Sequence, residues 1–99
     1  MSEAQQPKWI VTRLPTVIEK IKHLSRKARR LASKPEYIKA LKFTLGQLQT
    51  RPQEWGDPLY DTIHEGGTVY QGVATPIVVR YVVYPEEKVV CMVDVRLLG

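Results

Sequence analysis

Three β-prone runs close the chain, and the connections between them are too short for anything but hairpins. Thr68 to Ala74, Ile77 to Tyr84 and Lys88 to Leu97 are rich in valine, isoleucine and tyrosine, and only Thr75-Pro76 and Pro85-Glu86-Glu87 separate them. Parallel neighbours need a crossover of roughly a dozen residues, so adjacent runs are expected to pair antiparallel. In the last run Val89, Cys91, Val93, Val95 and Leu97 alternate with Val90, Met92, Asp94 and Arg96. That alternation predicts that the first set packs on the rest of the fold and the second set lies partly open.

The first half supplies what covers such a sheet. Trp9-Ile10-Val11-Thr12 is a short β-prone run, ended by Pro15. Thr16-Val17-Ile18-Glu19 then has the form of a capping box, and Val17, Ile21, Leu24, Ala28 and Leu31 follow at helical spacing. Lys20, Lys22, Arg26, Lys27, Arg29 and Arg30 take the other face. A second capping box, Ser33-Lys34-Pro35-Glu36, opens a stripe of Ile38, Leu41, Leu45 and Leu48. This helix should stop near Thr50, because Pro52 disfavours helical geometry in Arg51. With almost no linker, the helices over residues 16–50 must fold back as a hairpin.

Residues 51–67 read as turn-rich, punctuated by Pro52, Gly56-Asp57-Pro58 and Gly66-Gly67. The expected order is β-α-α-β-β-β. It describes an α+β fold with a short N-terminal strand and a two-helix hairpin packed on a C-terminal antiparallel β-sheet. One domain is expected over residues 1–99, with residues 1–8 as a flexible tail.

Composition narrows the function classes. The 99 residues are 43% apolar and 25% charged, which excludes disordered and fibrous classes. The longest apolar run, Val89 to Val93, falls far short of the ~20 residues of a spanning helix, so no membrane partner is expected. MSEAQQPKW has no basic segment followed by an apolar stretch, so no secretory signal is expected there. One cysteine and two histidines are too few for a structural zinc site; no metal or cofactor is expected, and the compartment is read as the reducing cytoplasm.

Charge is unevenly placed. Residues 1–51 hold twelve of the fifteen Lys and Arg against three acids, a balance of +9, while residues 52–99 balance to −4. Either the basic half meets a polyanion or an acidic protein, or Lys and Arg simply populate a solvated helix face. Lys20, Lys27 and Arg30, with Arg26 alongside, recur at about helical spacing opposite the apolar stripe and are the candidate nucleic-acid-binding residues.

Gly56-Asp57-Pro58-Leu59, Gly67-Thr68-Val69-Tyr70, Val79-Arg80-Tyr81-Val82-Val83-Tyr84 and Glu87-Lys88-Val89-Val90 follow the basic helical hairpin in that order. This arrangement resembles the RelE/ParE superfamily of small toxins from bacterial toxin–antitoxin pairs, over nearly the whole chain. Gln71 stands where the family often has arginine, and Arg80 is displaced by two positions from the family arginine of the central strand. An even step keeps it on the same side of that strand. Family ribonucleases also close on a basic or histidine-containing segment and a tyrosine, of which Val95-Arg96-Leu97-Leu98-Gly99 offers Arg96.

The resemblance implies an antitoxin partner and a target in translation, by ribosome-dependent mRNA cleavage, or in DNA gyrase. Cleavage of RNA by its own 2′-hydroxyl needs no metal if cations hold the phosphorus centre. Arg80, Tyr84, Arg96 and Tyr70 are the catalytic candidates, expected on one face, with Tyr81 on the opposite face as core. His64 offers a group that titrates near neutral pH. Plainer readings stand beside these: Arg80 as the cross-strand partner of Asp94, the tyrosines as ordinary strand residues, His64 as a surface histidine. The alternative of another class is a non-catalytic binding module whose basic helix docks on nucleic acid or an acidic protein.

Overall fold

A computed structural model describes residues 8–30, 34–62 and 66–98. It is an α+β fold. The elements are β1 (Ile10–Arg13), α1 (Pro15–Arg30), α2 (Lys34–Thr50), α3 (Pro52–Trp55), β2 (Asp57–Asp61), β3 (Thr68–Ala74), β4 (Ile77–Tyr84) and β5 (Val89–Leu97). The sheet runs β1-β5-β4-β3-β2, with β1 parallel to β5 and every other pair antiparallel. The three C-terminal strands follow the expected hairpins. The expected tail and the Ser33 cap lie largely outside the described residues.

Two elements depart from the expectation for residues 51–67. Pro52–Trp55 is a single helical turn and Asp57–Asp61 is a strand, so the sheet has five strands. Asp57 and Pro58 are poor strand formers, and all five residues of β2 are exposed. The strand exists because β3 offers it a ladder, and proline is tolerated on an edge. The start of α1 also differs. The helix begins at Pro15, and the Leu14 carbonyl accepts from the Val17 and Ile18 amides at 2.9 and 3.2 Å. Thr16 is therefore inside the first turn and cannot cap it; proline at the first position does the initiating instead.

The helical hairpin covers one face of the sheet. Val17 and Leu24 of α1 and Tyr37, Ala40 and Leu48 of α2 pack on Tyr70, Ala74, Ile77, Val79, Tyr81, Val83, Val90, Met92 and Val95. The α2 stripe is rotated from the expected one. Tyr37, Ala40, Thr44 and Leu48 are buried, whereas Leu45 is 36% exposed. Small Ala40 lets the helix approach the sheet, and the Tyr37 hydroxyl reaches across to donate to the Ile21 carbonyl of α1 at 2.9 Å.

A bulge in β5 corrects the expected facing of that strand. Arg80 pairs with Asp94 but Tyr81 with Met92, leaving Val93 as the extra residue. The inserted residue switches the side-chain parity. Val90 and Met92 consequently join Val95 and Leu97 toward the helices, while Val89 and Cys91 turn to the other side.

Candidate functional site

The helix-free face gathers the polar residues of the sheet. The two-residue turn at Thr75-Pro76 pairs Ala74 with Ile77 and so sets Gln71 opposite Arg80. Arg80 is flanked by Gln71 on β3 and Asp94 on β5, and Tyr84 follows it by four residues on the same side of β4. Arg96 lies opposite Val78, also on this face. Arg80, Tyr84 and Arg96 are therefore brought to one surface as expected.

Tyr70 is not. It pairs with Tyr81 on the helix-covered face, is 9% exposed, and stacks on the Tyr81 ring at 5.5 Å. The turn length carried that signal: a two-residue connection fixes the register and gives Tyr70 the parity of Tyr81, not of Arg80. Tyr81 is core, as expected. Its hydroxyl donates to the Pro52 carbonyl at 2.6 Å and accepts from the Gly56 amide at 3.0 Å. Burial pushes its phenol up to about 12 against the opposing pull of that amide.

Arg80 is half-buried and only partly satisfied. Its Nη2 donates to Gln71 Oε1 at 3.0 Å, while its buried Nε has no hydrogen-bond partner. The expected alternative of an Arg80–Asp94 pair does not form. Asp94 is held instead by the Lys20 ammonium and by Arg96 Nε at 3.3 Å. Burial disfavours the Asp94 carboxylate, but the Lys20 and Arg96 cations and the Val95 amide outweigh it and hold its carboxyl below the ordinary value. The guanidinium of Arg80 thus has no ion pair with the carboxylate opposite it in the ladder, which is committed to Lys20 and Arg96.

Tyr84 lies over Gly67. A Cβ at that glycine would come within 2.8 Å of the Tyr84 ring and of Val82, so only glycine allows the ring to settle there. His64 falls outside the described residues.

The basic helix is divided. Lys20 was expected opposite the apolar stripe, yet it flanks Val17 and Leu24 on the sheet side and spends its charge on Asp94. Lys22 sits 3.8 Å from Glu19, and Arg26 and Lys27 are exposed. Arg30 belongs to α1, with its side chain outside the described residues.

No family model and no curated protein matches the chain. Among solved structures it matches the crystal structure of an archaeal RelE–RelB complex from Pyrococcus horikoshii OT3, with a TM-score of 0.66 and 19% identity over 92% of this chain and 96% of that one. The fold is that of RelE. On this RelE fold the sequence singled out Arg80, Tyr84 and Arg96 by residue type and strand parity. It noted Gln71 only as a departure from the family pattern and passed over the Lys20–Asp94 bridge, which the docking of α1 on β5 reveals.

Proposed function

We propose that this chain is a RelE-like toxin that works in the cytoplasm, is held in check by an antitoxin protein, and acts on translation by cleaving ribosome-bound mRNA. The observation that carries the reading is Arg80: a guanidinium with a buried, unbonded Nε and no carboxylate partner, on the helix-free face of a RelE fold. A guanidinium with no carboxylate partner has charge to offer a phosphate. Arg96 adds a second cation on the same face, and Tyr84 adds a ring for stacking a base and a phenol for donating a proton. The contribution of these groups is charge stabilisation and positioning of the phosphodiester rather than proton abstraction. The neighbour solved with RelB supports a protein partner for this chain too.

Exposed Arg26 and Lys27 favour a second reading, a binding module whose basic helix docks on nucleic acid. One experiment separates the two. Induced expression of the wild type should arrest growth, with cleavage of translated mRNA visible by primer extension, and co-expression of the protein encoded beside it should restore growth. Arg80→Ala should abolish the arrest and the cleavage with a melting temperature close to wild type. A wild type that leaves growth and mRNA untouched sinks the toxin reading. Arrest without cleavage, accompanied by inhibited DNA supercoiling, moves the target to gyrase.

A further inference from the structure

Arg80 shares a row with two carboxylates and forms an ion pair with neither. The register sets Asp57 opposite Gln71, Gln71 opposite Arg80 and Arg80 opposite Asp94, one row across four strands. Opposite charges placed directly across a ladder attract. On one side Gln71 separates Arg80 from Asp57 by a strand. Its amide oxygen accepts from Nη2 at 3.0 Å and, being neutral, holds the guanidinium without cancelling its charge. On the other side no strand separates Arg80 from Asp94, and the pair is missing for another reason.

Both oxygens of Asp94 are taken. Oδ1 accepts from the Lys20 ammonium, and Oδ2 lies 3.3 Å from Arg96 Nε. Lys20 comes from α1, on the covered side of the sheet. It can reach Asp94 because β1 ends at Arg13, beside Met92, and leaves Val93 to Leu97 of β5 as the edge. The bridge passes around that edge. Meanwhile Arg80 Nε is buried without a partner, on a strand that sets Val78 and Val82 to either side of it. Removing Lys20 would free Oδ1 close to that unsatisfied donor. In such poorly solvated surroundings an ion pair across the ladder is favoured over two unpaired groups. Burial already works against the Asp94 carboxylate, so it gains by turning to another cation.

We propose that Lys20 is a positioning residue for an anion site at Arg80: by occupying Asp94 it blocks the Arg80–Asp94 pair and leaves the guanidinium to a phosphodiester. Gln71 completes the arrangement from β3 as a neutral tether. Lys20 itself touches no ligand. A bridge whose side chains are 41% and 31% exposed adds little to stability, so its value lies in the two charges it keeps apart. The role rests on the phosphate contact proposed for Arg80, and the two are scored separately below.

The test uses the full chain. Binding of a fluorescein-labelled hexauridylate is read by anisotropy at low salt, and the Arg80 Nε–H resonance is followed by heteronuclear NMR. Arg80→Ala should weaken binding. Lys20→Met keeps the aliphatic stem on the sheet, so the melting temperature should stay near wild type. It should nevertheless weaken RNA binding about tenfold and shift the Arg80 Nε–H resonance. Adding Asp94→Asn to Lys20→Met should return both readouts to wild-type values. Adding Glu19→Gln instead restores the same net charge from an exposed residue of α1 and should return neither. An Arg80 resonance that Lys20→Met leaves in place would overturn the proposal, and so would rescue by Glu19→Gln. If the resonance moves and is restored as expected while Arg80→Ala binds RNA like wild type, the phosphate contact falls and the guarding of Arg80 stands.

Discussion

The two faces of one sheet carry opposite chemistry on the same strands. Toward the helices, Ile77, Val79, Tyr81 and Val83 of β4 are each 0% exposed. On the other side the intervening Val78, Arg80 and Tyr84 are half-buried, and the charge of Arg80 is unanswered by any carboxylate. On the first face the Tyr81 hydroxyl is satisfied internally between Pro52 and Gly56, although the buried Thr44 hydroxyl of α2 has no partner. The second leaves the buried Arg80 Nε without a hydrogen bond, which costs stability. The contrast teaches that strand parity separates the packed core from the polar surface proposed as the site, and a single residue step along β4 should move a substitution from one to the other.

The largest effect should come from Val79→Asp. Its neighbour Arg80 points the other way, whereas a carboxylate at 79 enters the core without a partner. An unpaired buried charge costs roughly 3–5 kcal/mol or more, against a typical total of about 5–15 kcal/mol. Circular dichroism should show a chain largely unfolded at 37 °C. A variant as stable as wild type would break the assignment of faces.

A smaller loss tests how the covered face satisfies its polar atoms. Tyr81→Phe leaves the Pro52 carbonyl and the Gly56 amide without their partner, at a cost of about 1–3 kcal/mol. The dependence on pH has a definite sign. A phenol raised to about 12 in the fold binds its proton more tightly than the unfolded chain does, so its contribution is intact below pH 10 and is lost as pH rises toward 12. Denaturant midpoints of wild type and Tyr81→Phe should therefore converge as pH rises from 10 toward 12, and a constant gap would refute the linkage.

How much of this was legible in the sequence follows from the same parity. The β3–β4 register was readable, because Thr75-Pro76 leaves two residues for the turn and forces Gln71 opposite Arg80. The same constraint sets Tyr70 opposite Tyr81, on the covered face and not beside Arg80 as expected. The β5 facing was not readable: Val89 to Val95 is apolar on nearly every position, so nothing in the pattern marks Val93 as the extra residue. β2 was hidden for a different reason, since a strand of Asp57-Pro58-Leu59-Tyr60-Asp61 owes its conformation to pairing rather than propensity. The same holds for Lys20, whose helical spacing placed it among solvent cations while its neighbour across the fold, Asp94, lies 74 residues away.

That bridge joins the two faces at the sheet edge and should contribute little. Asp94→Asn removes a carboxylate shared by a Lys20 that is 41% exposed and an Arg96 that is 57% exposed, so screening limits the loss to about 1 kcal/mol or less. A carboxyl held below its ordinary value stabilises the fold above the unfolded-state value near 3.8, and the contribution disappears as pH falls through the folded-state value. Melting temperatures of wild type and Asp94→Asn should thus differ slightly at pH 7 and coincide in strong acid. A gap that persists at low pH would assign the loss to packing instead.

The smallest effect on stability should come from replacing Arg26, Lys27 and Arg30 with glutamine. Arg26 and Lys27 are exposed on α1, outside the buried Val17 and Leu24, and surface changes of this kind usually stay within about 0.5 kcal/mol. Their effect on binding should be large by comparison. Cations that neutralise phosphates release counterions, so RNA or ribosome association should weaken steeply with salt, and the triple variant should show a weaker affinity and a shallower slope. A protein partner that buries apolar surface is screened poorly by salt, so its complex should survive moderate salt and the triple substitution alike. The comparison of faces then gains a third region, a helix flank that holds nucleic acid without supporting the fold. RNA affinity insensitive both to salt and to the substitution would return these residues to a solvated face and leave Arg80 and Arg96 as the cations that matter.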